Sequence, residues 1–255
     1  MQLFLFSRLK LIAILIVTIL AISAKAFACE KTIKISAASK WPPFSYTENG
    51  IQKGLDIEII ELVLSKAGIC WEYIVYPSSS RALNELKHGR VDLIFAASFT
   101  EERSDYAIFS LAYRIEQMQL FENTNNAKTW GKSKNIVFAV NRGSYYGALF
   151  KKYVSDCYAC VVETNHLNER INLVKKKRVD FAIEEYLAGS YFIIKNGMSD
   201  FVRPTNIMIN SNPVYYMLNT QRFSKREVNI LNDAIKNSDA EIAELIEKYQ
   251  RELTF

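Results

Sequence analysis

Histidine is scarce in this sequence. There are two in 255 residues, His88 and His166, and neither has a neighbour at metal-ligand spacing. A tetrahedral site would need a second Cys or His pair beside Cys157 and Cys160. None is present, so no metal and no cofactor is expected, and both histidines read as surface residues. An apolar run long enough to cross a bilayer is missing as well. The best candidate, residues 11–24, has about fourteen residues where a span needs about twenty. It follows Arg8 and Lys10 and ends at "AFA", residues 26–28. A basic start, a short apolar centre and a small-x-small end make an export signal over residues 1–28.

A dominant charge of one sign is also lacking. Losing the signal removes Arg8, Lys10 and Lys25 and no acid, so the formal net charge of +5 falls to +2. No cluster of basic and aromatic residues remains, which argues against a nucleic-acid partner. The remaining 227 residues, counted from Cys29, suffice for one large domain or two small ones.

All four cysteines lie in the exported part. Their even number and the oxidising destination favour disulfides. Cys29 directly follows the cut, where a lipoprotein would carry its lipid. The lipid-attachment box has Leu near position 26 and this chain has Ala26, so lipidation ranks second.

Strand and helix patterns alternate along the chain. "TIKISAA" is a strand, and "GLDIEIIELVLSKAG" is a helix stopped by Gly68. "WEYIVYP" is a strand, "SSSRALNELKHG" a serine-capped helix, and "VDLIFAA" a strand of the kind buried in a parallel sheet. The second half repeats the order: strand "NIVFAV", helix "SYYGALFKKYV", strand "CVVET", a helix capped by Asn165, and strand "VDFAIE". The repeat shows in letters, "KHGRVDLIFA" against "KKKRVDFAIE". This predicts an α/β protein of two βαβ lobes with right-handed crossovers, joined by a two-segment hinge. Residues 29–119 with 216–255 form lobe 1 and residues 120–215 lobe 2. Two amphipathic helices, 225–237 and 240–252, close the chain. Cys29 and Cys70 precede strands expected to be parallel neighbours, which predicts a Cys29–Cys70 bridge beside a Cys157–Cys160 one.

"FTEERSDYAIFS", residues 99–110, poses a local problem. Thr100 has the form of a helix N-cap, and Glu101 and Glu102 suit the positive end of a helix. Arg103 does not. It either pairs with Glu101, Glu102 or Asp105 on the surface or waits for an anion from outside the chain.

"WPPFSYTENGIQKGLDIEII", "LNELKHGRVDLIFAASFTEERSDYAIFS", "VNRGSYYG" and "KKRVDFAIEEYLA" together resemble the periplasmic solute-binding proteins of amino-acid ABC transporters, family 3, with the type II Venus-flytrap fold. The resemblance spans nearly the whole exported chain. It implies that Arg103 grips a ligand carboxylate, with Ser98 as a hydroxyl donor and Ala96 lending its backbone carbonyl. It makes Trp41 the aromatic against the ligand side chain. Ser144 would close over the carboxylate from the second lobe. Glu185, where the family has aspartate, would meet an ammonium. Each role has a structural rival: Trp41 as cover for a sheet end, Ser144 as an N-cap, Glu185 as a first-turn acid. Asp56 and Asp92 read as structural. Ala38 stands where many relatives carry an acid, so side-chain specificity stays open. The implied protein is a periplasmic, monomeric carrier of an amino acid or related small carboxylate. Its partner would be the membrane permease of an ABC transporter, and it has no catalytic residue. A dehydratase-like enzyme with Glu185 as acid, or a ligand-sensing module, is the alternative on the same fold.

Overall fold

The computed structural model describes residues 31–251, apart from Asp156 and the side chain of Tyr158. The signal segment and Cys29 lie outside the described residues.

The first half lays down β1 (Thr32–Ala37), the short strands β2 (Lys40–Trp41), β3 (Ser45–Glu48) and β4 (Ile51–Lys53), then α1 (Leu55–Ala67), β5 (Cys70–Val75), α2 (Ser79–Lys87), β6 (Leu93–Ser98) and the single turn α3 (Glu101–Ser104). A 17-residue strand, β7 (Ala107–Asn123), leads to the second half. There follow β8 (Phe138–Asn141), α4 (Ala148–Ser155), β9 (Val161–Thr164), α5 (Leu167–Lys175), β10 (Phe181–Glu185) and α6 (Tyr186–Lys195). The 18-residue β11 (Val202–Asn219) returns, and α7 (Lys225–Lys236) and α8 (Asp239–Arg251) end the described chain.

Eight strands form one sheet in the order β5-β1-β6-β11-β7-β10-β8-β9, and β2-β3-β4 make a small antiparallel sheet that the sequence pattern had not suggested. Each half holds three parallel strands, and β7 and β11 run antiparallel between them. β6 and β10 occupy equivalent places, as the repeated Arg-Val-Asp suggested. The repeat has a physical basis. Asp92 accepts from the N–H of Lys34 at 2.9 Å, and Asp180 from the N–H of Val137 at 2.8 Å. Each aspartate thus ties the start of its strand to the neighbouring strand, and each is held by a cation, Arg222 and Lys128. Asp92 is structural, as read.

Local signals set most helix ends. Gly68, in the left-handed region at φ 68, lets Ile69 N–H reach back to Leu64 and close α1. Ser78, Thr100 and Ser224 each accept a first-turn N–H. Two expectations shift. The cap of α5 is His166 rather than Asn165, because Glu169 reaches back to the N–H groups of both, at 3.1 and 3.2 Å. The helix after β8 starts only at Ala148, past Gly147, so Ser144 is not its N-cap. Of the terminal helices, α8 begins at Asp239 rather than Ala240. α1 buries Ile57, Ile59, Ile60, Val63 and Leu64 against the sheet, each contributing about 1.5–3 kcal/mol.

Asp56, at the start of α1, is fully buried. Arg114 of β7 grips it with two bonds of 2.7 Å, and the Tyr113 hydroxyl adds a third at 2.9 Å. This ties α1 to the crossing strand, so Asp56 is structural, as read. Cys157 and Cys160 are bridged, with Cα atoms 5.4 Å apart. Cys70 is also disulfide-bonded. It pairs in register with Thr32 on the adjacent parallel strand, and its expected partner Cys29 lies outside the described residues.

Candidate functional site

A cavity of about 180 Å³ opens at the C-terminal ends of β1, β6 and β10, where loops from both halves meet. Crevices at such strand ends are where open α/β sheets bind ligands. All six residues singled out in the sequence, Trp41, Ala96, Ser98, Arg103, Ser144 and Glu185, line it.

Arg103 is held by backbone rather than by acids. Its Nη1 donates to the Ser98 carbonyl at 2.8 Å, and its Nη2 crosses to the Gly143 carbonyl at 2.9 Å. No ion pair to Arg103 occurs among the described residues, so Glu101, Glu102 and Asp105 do not claim it. Burial pulls its pKa below the usual guanidinium value. A desolvated cation without a carboxylate is costly. Two of its five N–H donors are used, and the rest of the fork is free for an oxyanion. The Thr100 side chain accepts from Arg103 N–H at 3.2 Å and so fixes the backbone from which the guanidinium projects.

Ala96 holds a left-handed backbone, φ 53, inside a strand. Between Ile94 and Ala97 the β6–β11 register slips by one residue, a β-bulge. Bulges near sites re-aim backbone groups. The Ala96 N–H is turned to the Tyr113 hydroxyl at 3.0 Å. Trp41 stacks on Phe44 at 4.6 Å, and Arg114 lies 4.3 Å over the other ring, so the aromatic wall is braced from the sheet side. Ser144 accepts from the Asn141 side chain at 2.8 Å, and Asn141 also donates to Ser79 of α2 at 3.1 Å.

The cleft is also lined by acids. Glu185 is buried and caps α6 through Ala188 N–H at 3.1 Å, so its structural rival role is real and coexists with its place in the cleft. Burial raises its pKa to about 7, with Arg114 pulling the other way. Glu116 of β7, missed in the sequence, lines the same cavity and is pushed up to about 8 by burial. Its carboxylate makes no hydrogen bond or ion pair among the described residues. Glu184 does not join them, because Arg170 of α5 holds it in a buried ion pair. Arg170 was detectable in principle: it sits at an apolar-face position between Leu167 and Val174. The cleft is therefore lined by a cation with no carboxylate partner and by two carboxyl groups with no ion-pair partner among the described residues. That suits a zwitterion. His166 is half-buried at the cleft edge rather than fully on the surface, while His88 is exposed.

Residues 33–252 match the bacterial extracellular solute-binding proteins, family 3, and the chain belongs to that family. The family is one of solute-binding proteins, not enzymes, which sets aside the dehydratase-like alternative. A probable histidine-binding protein of Campylobacter jejuni subsp. jejuni serotype O:2 is 24% identical over 169 residues, 65% of this chain. The match spans 64% of that protein's length, just under two thirds. Among solved structures, an ancestral arginine-binding protein bound to arginine superposes with a TM-score of 0.75 at 20% identity, covering 87% of this chain and 99% of that one. A histidine kinase sensor domain with similarity to periplasmic binding proteins gives 0.74 at 18%, covering 86% and 95%. These likenesses establish the fold, the type II periplasmic binding architecture. Among the described residues no helix is long and apolar enough to cross a membrane.

Proposed function

We propose that the protein captures a free amino acid, or a similar small carboxylate, between its two halves and hands it to the permease of a membrane ABC transporter. The observation that carries this reading is Arg103, a half-buried guanidinium without a carboxylate partner, lining one cavity with Glu116 and Glu185. Arg103 and Ser98 hold the ligand carboxylate, Ala96 offers its carbonyl, Glu185 and Glu116 receive the ammonium, and Trp41 covers the side chain. Ser144 completes the carboxylate site from the second lobe. The lobes are residues 29–119 with 216–255, and 120–215. The chain acts as a periplasmic monomer, exported through a signal at residues 1–28. The cavity of about 180 Å³ suits a ligand smaller than the drug-sized molecules that fill sites of roughly 300–1,000 Å³.

A thermal-shift screen of amino acids, simple carboxylates and simple amines tests it. A true ligand at about a hundred times its Kd raises Tm by roughly 5–10 °C through mass action. Failure of every amino acid and carboxylate to do so would refute the reading. Transport itself is tested by loss of uptake of that ligand on deletion of the gene.

A further inference from the structure

The formal charge is divided unevenly between the halves. Residues 120–215 hold 13 Lys and Arg against 8 Asp and Glu, a net +5, so the rest of the exported chain carries 2 − 5 = −3. The excess collects at one pole of the second half. It is the end where β8 and β10 begin, away from the cleft where β10 finishes. Three segments of chain meet there. Asp180 accepts from the Val137 N–H and from the Lys128 ammonium, both at 2.8 Å, and Lys128 also donates to the Asn135 carbonyl at 2.9 Å. The Asn123 side chain donates to the Lys175 carbonyl at 3.2 Å, and the Thr124 N–H to the Phe201 carbonyl at 3.0 Å. Lys132 and Lys134 in the first segment, Lys176, Lys177 and Arg178 after α5, and Lys195 at the end of α6 are all exposed. None of the six has an ion pair among the described residues. Of the acids close by, Asp180 is taken by Lys128 and Glu122 by Arg203, which leaves Asp200. Phe201 is 47% exposed at the same pole, with the Lys175 ammonium 4.4 Å over its ring. The sequence shows only the run of four cations at 175–178, and the fold brings the others to it.

We propose that this pole docks the protein reversibly on a membrane surface rich in anionic phospholipid. Five of the six exposed cations are lysines, point charges that suit a plane of phosphates better than the bidentate pairing a carboxylate partner rewards. An exposed aromatic ring beside lysines is the combination that settles at headgroup depth. The opposite charge of the two halves makes the docking directional, with the basic pole drawn to the lipid and the acidic half repelled. The cleft lies at the other end of β10, so docking leaves it open. The inference does not depend on which ligand the cleft holds.

The test is co-sedimentation of the exported chain with vesicles of equal parts phosphatidylglycerol and phosphatidylcholine, at about 150 mM salt. Half-saturation is expected at about 0.1–1 mM lipid, and phosphatidylcholine vesicles alone should bind at least about tenfold more weakly. Lys176→Glu with Lys177→Glu should weaken binding roughly a hundredfold, and Phe201→Ala about three- to tenfold. Lys225→Glu with Arg226→Glu makes the same change of charge on exposed residues of α7 and should leave binding within about twofold of wild type. Equal loss in the two double variants would mean that bulk charge, not this pole, is responsible, and would overturn the proposal. So would the absence of binding to the anionic vesicles, whether or not the chain captures polyglutamate, the stand-in for an acidic protein partner. The comparison of the two vesicle types with wild-type protein decides even if a variant fails to fold.

Discussion

At the scale of single residues, the proposed chemistry rests on Arg103 and on the carboxyl groups of Glu116 and Glu185 in the same cavity. If Arg103 grips a carboxylate, Arg103→Ala should weaken ligand binding by roughly 2–5 kcal/mol, about thirtyfold to several-thousandfold. Arg103→Lys should recover part of this, because an ammonium cannot make two parallel bonds. Calorimetry of the three proteins checks it, and wild-type affinity in Arg103→Ala would remove the clamp. Glu116 and Glu185 add a pH dependence. Their folded values, about 8 and about 7, lie above the ordinary 4.5. The free folded state therefore keeps protons that the unfolded chain releases. Stability from these groups is full below about pH 4.5 and falls as pH rises towards about 8. An ammonium ligand reverses the preference by favouring the charged forms. Binding then releases protons, and affinity should rise by at least about tenfold between pH 6 and 8. Glu116→Gln with Glu185→Gln should flatten that profile. Calorimetric titration in buffers of different ionisation enthalpy measures the released protons directly, and a flat wild-type profile would contradict it. Arg103 was legible in the sequence because it breaks a local helix-start pattern. Glu116 was not, since an acid within a long strand-like run gives no sign of which face it will occupy.

At the scale of elements, the strained backbone of β6 is the feature most closely tied to the site. Ala96 is left-handed without being glycine. A β-branched residue fits that region poorly, so Ala96→Val should cost about 1–3 kcal/mol, while Ala96→Gly should stay within about 1 kcal/mol of wild type. Urea unfolding of both variants tests this, and equal loss in the two would point to packing rather than backbone strain. The parallel strands and the helices between them were readable from period and caps, as were Gly68, Ser78 and Thr100, whereas β2, β3, β4 and the helix α6 were not. What escaped reading was non-local. β7 and β11 looked like linkers with short apolar stretches, yet they run 17 and 18 residues as paired strands. Their inward faces change as they pass from one half to the other, with repeated register shifts in their pairing, so no single alternation marks them. The start of α5 moved by one residue because Glu169 could serve two N–H groups, which only geometry reveals.

For the whole molecule, the question is how the halves move about β7 and β11. β10 pairs with β7 over residues 118–122, and β6 pairs with β11 over residues 214–218. The intervening residues, near 114–117 and 209–213, belong to neither half's parallel strands and are where rotation should concentrate. Small-angle scattering should give a smaller radius of gyration with ligand than without. An unchanged radius at saturation would count against closure. At the cleft the described contacts between the halves include Arg103 with the Gly143 carbonyl, Asn141 with Ser79, and Gly143 packed on Ser80. The last of these acts as a spacer gauge. A Cβ at Gly143 would stand 2.8 Å from the Ser80 nitrogen and 2.9 Å from its Cα, and φ there is 85. Gly143→Ala is then a wedge one carbon thick, placed beside the lips of the cleft rather than in its floor. It should lower affinity for ligands large and small by the same factor, roughly fivefold to a hundredfold, because it reduces the share of molecules able to shut. If the halves close on a ligand as proposed, the missing methyl group at this contact sets the aperture at which it is held.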